Sequence, residues 1–215
     1  MNKSEILKRI REIGILPVLR AASVDEAVAL AEAIEAGGIT ALEITMTVPD
    51  AIEVMRSLKR RAGDSILIGA GTVLDPETAR ACILAGAQFI VSPALNLKTI
   101  EICHRYSVPV IPGALTPTEV VTAWEAGADV VKVFPCSALG GAKYLKSLKA
   151  PLPHIDLIPT GGVSLSTAAE FLSAGAFALG VGADLANPQA IAEGKPELIT
   201  QIAKEYVEII RKART

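Results

Sequence analysis

Short β-rich runs alternate with amphipathic stretches along the whole chain, and this alternation restricts the fold more than any other feature. The runs LPVLRA (16–21), ALEITM (41–46), ILIGAGTV (66–73), FIVSP (89–93), PVIPGA (109–114), VVKVFP (130–135), DLIPTGG (156–162) and ALGVGA (178–183) read as eight strands. Ser23, Pro49, Asp75-Pro76 and Thr116-Pro117 stand where helices should start, each a polar cap or a proline ahead of a first turn. EAGG (35–38), LAGA (84–87), EAGA (125–128) and SAGA (173–176) each close a helix ahead of an even-numbered strand, with glycine at the C-terminal cap. Their recurrence about every 40 to 50 residues equals two βα units. Eight such units with no break in composition predict an α/β chain folded as a closed (β/α)8 TIM barrel, one domain over residues 1–215 with a short N-terminal helix. The last helix, PELITQIAKEYVEIIRKA (196–213), would complete the outer ring. An open doubly wound sheet would instead call for a glycine-rich turn after the first strand, and LRAASVDEA (19–27) has none.

Composition narrows the function. With 215 residues, 51% of them apolar, the chain can bury one sizeable core. A net charge of −2 and 4% aromatic residues leave neither a basic face nor a stacking platform for nucleic acid. Cys82, Cys103 and Cys136 are odd in number and widely spaced, which suits free thiols in a reducing cytoplasm. No Cys/His cluster has zinc spacing, and the N-terminal segment reads as a charged helix without a signal-peptide core. No apolar run reaches membrane-spanning length, so a cytoplasmic enzyme without membrane or nucleic-acid partners is expected.

Arg20, Glu43, Thr45, Thr72, Lys132 and Thr160 are polar residues inside these apolar runs, expected in the later halves of their strands. In a parallel barrel that end carries the chemistry. Lys132 is the most demanding, flanked by Val130, Val131, Val133 and Phe134. Burial disfavours an ammonium, and a neutral amine attacks carbonyls. Glu43 suits an acid/base that moves protons around that amine. A Lys132–Glu43 ion pair that merely closes the barrel is the structural alternative, but such a pair stabilises little compared with apolar residues. GAGT (69–72), TGG (160–162) and GVGAD (180–184) end three strands with glycines that admit an anion to the backbone, although barrel corners also use glycine for closure. A Schiff-base lysine beside an anion site points to a keto acid or a phosphorylated sugar acid.

LEIT (42–45) followed by Val48-Pro49, GAGTV (69–73), FIVSP (89–93), PGALTPTE (112–119), VKVFP (131–135) and PTGGV (159–163) together resemble the class I 2-dehydro-3-deoxy-phosphogluconate / 4-hydroxy-2-oxoglutarate aldolase family. The resemblance runs in order through nearly the whole chain. It implies a (β/α)8 barrel, a homotrimer, and no metal or organic cofactor. By resemblance, Lys132 is the Schiff-base lysine and Glu43 the general acid/base. Thr72 would meet the pyruvate carboxylate, Pro93 would line the pocket, and Thr160, Gly161 and Gly162 would reach the far, often phosphorylated, end. Arg20 is the candidate carboxylate clamp.

The implied reaction is reversible cleavage of 2-dehydro-3-deoxy-6-phosphogluconate to pyruvate and glyceraldehyde 3-phosphate, or of 4-hydroxy-2-oxoglutarate to pyruvate and glyoxylate. The galactonate epimer, a phosphate-binding barrel isomerase and a non-catalytic keto-acid-binding barrel are the alternatives. Two positions depart from the family pattern. Thr47 stands where other members carry an arginine, and Ala183 stands where a serine is frequent, which bears on whether the substrate needs its phosphate.

Overall fold

Strand and helix alternate as the pattern requires in the computed structural model, which describes residues 1–214. Thr215, the last residue of the expected domain, lies outside the described residues. The order is α1 (Lys3–Ile13), β1 (Ile15–Leu19), α2 (Val24–Ala36), β2 (Ala41–Thr45), α3 (Ala51–Ala62), β3 (Leu67–Gly71), α4 (Pro76–Leu84), β4 (Ile90–Val91), α5 (Leu97–Arg105), β5 (Val110–Ile111), β6 (Gly113–Ala114) and α6 (Pro117–Glu125). It continues with β7 (Val131–Val133), a 3-10 turn (Cys136–Leu139), α7 (Ala142–Lys149), β8 (Leu157–Pro159), α8 (Ala168–Ser173), β9 (Leu179–Val181), α9 (Pro188–Ala192) and α10 (Pro196–Ala213).

Local chemistry explains most boundaries. The Ser23 side chain accepts from the Glu26 N–H, Asp75 accepts from the Thr78 N–H, and Thr116 forms a reciprocal capping box with Glu119. Pro49 does not open α3 as expected: the helix starts at Ala51, after Asp50 in a left-handed conformation with no side-chain cap. The repeated Ala-Gly endings behave as read, since Gly38, Gly86, Gly127 and Gly175 all take positive φ where the chain leaves a helix for the next strand.

All strand pairings are parallel, but they form two sheets: six strands in the order β5-β4-β3-β2-β1-β9, and three in the order β6-β7-β8. The expected strand 109–114 is split by Pro112, which has no N–H to give a ladder, so β5 pairs with β4 while β6 pairs with β7. The Pro112 carbonyl still accepts from the backbone N–H of Lys132 at 2.8 Å. At the other junction an isolated parallel bridge joins Thr160 to Gly180. The ladders are also shorter than the apolar runs. Arg20, Thr72, Pro93 and Thr160–Gly162 all lie just past strand ends, on turns.

Two apolar layers result. One fills the space between strands and helices, with Leu19, Ile44, Ala70, Val131 and Val133 facing the helices. The other gathers Leu16, Ala41, Leu67, Phe89, Val91, Ile111, Val130 and Ile158 from both sheets onto Ile6 and Ile10 of α1. This second cluster lies beneath the polar residues of the strands and gives them a dry floor. Gly69 is required there, because a Cβ on it would sit 2.1 Å from the Phe89 ring. We therefore expect Gly69→Ala to lower the unfolding free energy by about 1–3 kcal/mol in denaturant titration, through overpacking. Part should return in the Gly69→Ala/Phe89→Leu double variant. A Gly69→Ala protein as stable as the parent would contradict this packing.

Candidate active site

Lys132 is the middle residue of β7, so its side chain points opposite to those of Val131 and Val133. Those valines pack on the helices, which turns the lysine inward, where it is 5% exposed. Glu43 is likewise the middle residue of β2 and is 2% exposed. The later-half placement expected for all six polar residues therefore fails for these two, while Thr45 ends β2 and Arg20, Thr72 and Thr160 lie beyond their strands. Across the interior, Lys132 Nζ stands 3.5 Å from Glu43 Oε1. Neither side chain has another hydrogen-bond or ion-pair partner among the described residues.

Glycines make this approach possible. A Cβ on Gly71 would fall 2.1 Å from Glu43 Oε1, so that strand position must stay empty for the carboxylate to turn inward. Gly113, in register with Lys132, lets the Pro93 carbonyl carbon come to 2.2 Å of where its Cβ would be. Pro93 is thus set beside the lysine strand, and Thr72 follows the glycine that packs on Glu43. Thr72 holds φ +56°, an unusual conformation for a β-branched residue, of the kind that clusters at functional sites.

The Thr45 hydroxyl donates to the Leu19 carbonyl at 3.1 Å and lies 2.7 Å from the Thr47 hydroxyl. A carbonyl can only accept, so Thr47 is the donor within the threonine pair. Thr45 thus ties β2 to β1 just before Arg20, and Thr47 supports it by donating to its hydroxyl.

The remaining candidates share a cavity of about 470 Å³, lined by Arg20, Phe134, Thr160, Gly161, Gly162 and Asp184 among others. Gly180 leaves space for the Thr160 hydroxyl, which would otherwise lie 2.1 Å from a Cβ. Gly161 and Gly162 both have positive φ, and the Gly162 N–H has no acceptor among the described residues. Arg20 is exposed and makes no hydrogen bond or ion pair among them. A cation and an unpaired backbone donor on one concavity are groups suited to an anion. The structure thus groups Arg20 with Thr160–Gly162, apart from the Lys132–Glu43 pair. Phe134 connects the two groups, with Lys132 Nζ 5.5 Å from its ring centroid while the ring also lines the cavity.

Phe134 and Asp184 line this cavity, and sequence reasoning misses both. The motif VFP signals only a strand end, and a lone aspartate after GVGA carries no spacing cue. Cys136 opens the 3-10 turn that follows β7, and burial pushes its thiol up to about 11, which disfavours the thiolate. Burial does the same to Cys82 and Cys103, pushed up to about 11 and about 12. Among the described residues no group of three or more His, Cys, Asp or Glu is placed to hold a metal ion, and no helix is long and apolar enough to cross a membrane.

A buried pair with so few partners tests itself by replacement. Lys132→Met alone should cost about 3–5 kcal/mol by stranding the Glu43 carboxylate, whereas Lys132→Met/Glu43→Leu should match or exceed the parent's stability in denaturant titration. A double variant less stable than the single would show that the pair is there to hold the fold.

A model of the family described as KDPG and KHG aldolase matches residues 6–202. A 2-dehydro-3-deoxy-phosphogluconate aldolase of Treponema pallidum is 35% identical over 206 residues, 96% of each chain. A 2-dehydro-3-deoxy-6-phosphogalactonate aldolase of Escherichia coli is 36% identical over 201 residues, covering 93% of this chain and 98% of the relative. Among solved structures, the KDPG aldolase of Legionella pneumophila, with pyruvate captured as a covalent carbinolamine intermediate, superposes with a TM-score of 0.83 at 32% identity, covering 89% of this chain and 92% of that one.

Proposed function

The chain belongs to the KDPG and KHG aldolase family, carbon–carbon lyases, and from that premise we propose that it cleaves 2-dehydro-3-deoxy-6-phosphogluconate through an imine on Lys132. The observation that carries this reading is the buried Lys132 amine 3.5 Å from Glu43, with no other hydrogen-bond or ion-pair partner among the described residues. Transfer of a proton from the ammonium to the Glu43 carboxylate frees the amine lone pair to attack the C2 ketone of the substrate. Glu43, directly or through one water, returns that proton as the carbinolamine loses water to form the protonated imine. The imine then accepts the electrons of the C3–C4 bond as the C4 hydroxyl gives up its proton to the Glu43 carboxylate, directly or through one water. An aldehyde leaves, glyceraldehyde 3-phosphate in this case, and an enamine of pyruvate remains. Protonation at C3 and hydrolysis release pyruvate.

In the same reading Thr72 and Pro93 bound the pyruvate end. Arg20, Thr160, Gly161 and Gly162 take the anionic far end, where the unpaired donors of the cavity support phosphate binding despite Ala183. Arg20 thereby serves the distal anion rather than the keto-acid carboxylate. Cleavage of 4-hydroxy-2-oxoglutarate to pyruvate and glyoxylate follows from the same lysine chemistry. The galactonate epimer is the second candidate substrate, favoured by the similar identity to the Escherichia coli relative.

The eight-strand closed barrel and a single domain over residues 1–215 belong to this proposal, supported by the Pro112 junction and the Thr160–Gly180 bridge. So does a homotrimer, for which the exposed Leu74, Leu84, Leu97 and Tyr106 around α4 and α5 supply apolar surface. A cytoplasmic setting agrees with three buried free thiols.

Borohydride treatment with pyruvate tests the mechanism. A reduced pyruvate adduct located on Lys132 by peptide mass spectrometry, with loss of activity, is expected. Active protein that yields no adduct there would refute the imine.

A further inference from the structure

Arg20 and Asp184 carry opposite charges on the same cavity of about 470 Å³, yet they are not paired. Free side chains so placed attract one another. The Asp184 carboxylate is engaged elsewhere. Its Oδ2 accepts from the Tyr206 hydroxyl at 2.5 Å and from the Leu165 N–H at 3.3 Å. Tyr206 comes from α10, is fully buried, and does not itself line the cavity. Burial and the neighbouring carboxylate hold its phenol well above the usual range, so it remains a donor. The Leu165 bond also ties Asp184 to the turn after Gly162, where the Thr167 hydroxyl donates to the Gly162 carbonyl and accepts from the Ser164 N–H.

We propose that Tyr206 is a positioning residue that holds the Asp184 carboxylate off Arg20, leaving the guanidinium charge available to the anionic end of the substrate. The inference rests on the reading that this cavity takes the phosphate. Without the phenol hydroxyl, Asp184 loses its shorter hydrogen bond and turns to Arg20, the cation on the same cavity. Arg20 is then neutralised before a phosphate arrives. Because Lys132 and Glu43 lie outside this cavity, the loss falls on binding of the distal anion and leaves the chemical step alone.

The test is Tyr206→Phe, which keeps the ring and removes the hydroxyl. KM for 2-dehydro-3-deoxy-6-phosphogluconate and the inhibition constant of inorganic phosphate should both rise about five- to tenfold, with kcat within about twofold of the parent. KM for 2-dehydro-3-deoxygluconate, which lacks the phosphate, should stay at the parent value, which also reports an intact fold. Adding Asp184→Asn removes the competing charge and should bring KM for the phosphorylated substrate back toward that of Asp184→Asn alone. Three results would overturn the inference: no change in Tyr206→Phe, an equal rise for both substrates, or a double variant that keeps the raised KM. Arg20→Gln checks the underlying reading separately. If it leaves both phosphate inhibition and KM for the phosphorylated substrate unaltered, the cavity is not the anion site, and the reading falls together with the inference.

Discussion

Lys132 and Glu43 are buried side by side, and moving both charges out of water costs several kcal/mol per ion. Their attraction at 3.5 Å offsets that only in part when no further donors or acceptors complete the pair, and among the described residues neither side chain has any. A fold selected for stability alone would place apolar residues there. The surroundings instead maintain the pair: Gly71 vacates volume for the carboxylate, Gly113 draws the Pro93 backbone in beside the lysine strand, and Val131 and Val133 fix the face from which Lys132 projects. The floor beneath them, Leu16, Leu67, Phe89 and Ile158, is buried and apolar.

The site has two compartments with different physics. Around Lys132 the environment is closed and apolar, suited to proton exchange between a nucleophile and a nearby acid/base. Around Arg20 it is open, with a free backbone donor from Gly162, suited to an anion that brings its own charge and leaves again. Phe134 forms the wall between them. In the proposed reading, this separation lets affinity for the distal anion change, through Ala183 or Asp184, without disturbing the Lys132–Glu43 pair.

Much of this is legible in the residues. The alternation of strand and helix, the Ala-Gly helix endings and the caps at Ser23, Asp75 and Thr116 are local properties, and local energetics set them. Lys132 stands out because a charge inside a β-rich run has a cost that a sequence displays. What depends on distant contacts does not show. Pro112 reads as part of a strand, and its role as the point where the chain passes from one sheet to the other emerges only with the ladders on both sides. Arg20 reads as a carboxylate clamp, and its place on one cavity with Thr160–Gly162 emerges only once distant strand ends are brought together. Asp184 and Tyr206 are 22 residues apart and share no motif, so their hydrogen bond has no trace in the sequence.

If Lys132 holds the keto acid while Glu43 moves its protons, the two must act together even when no aldehyde is present. Deuterium exchange into the methyl group of pyruvate in heavy water, followed by NMR, measures that enamine formation directly. Exchange is expected in the native protein and should be lost in both Lys132→Ala and Glu43→Gln. Exchange that persists in folded Lys132→Ala would contradict the shared role.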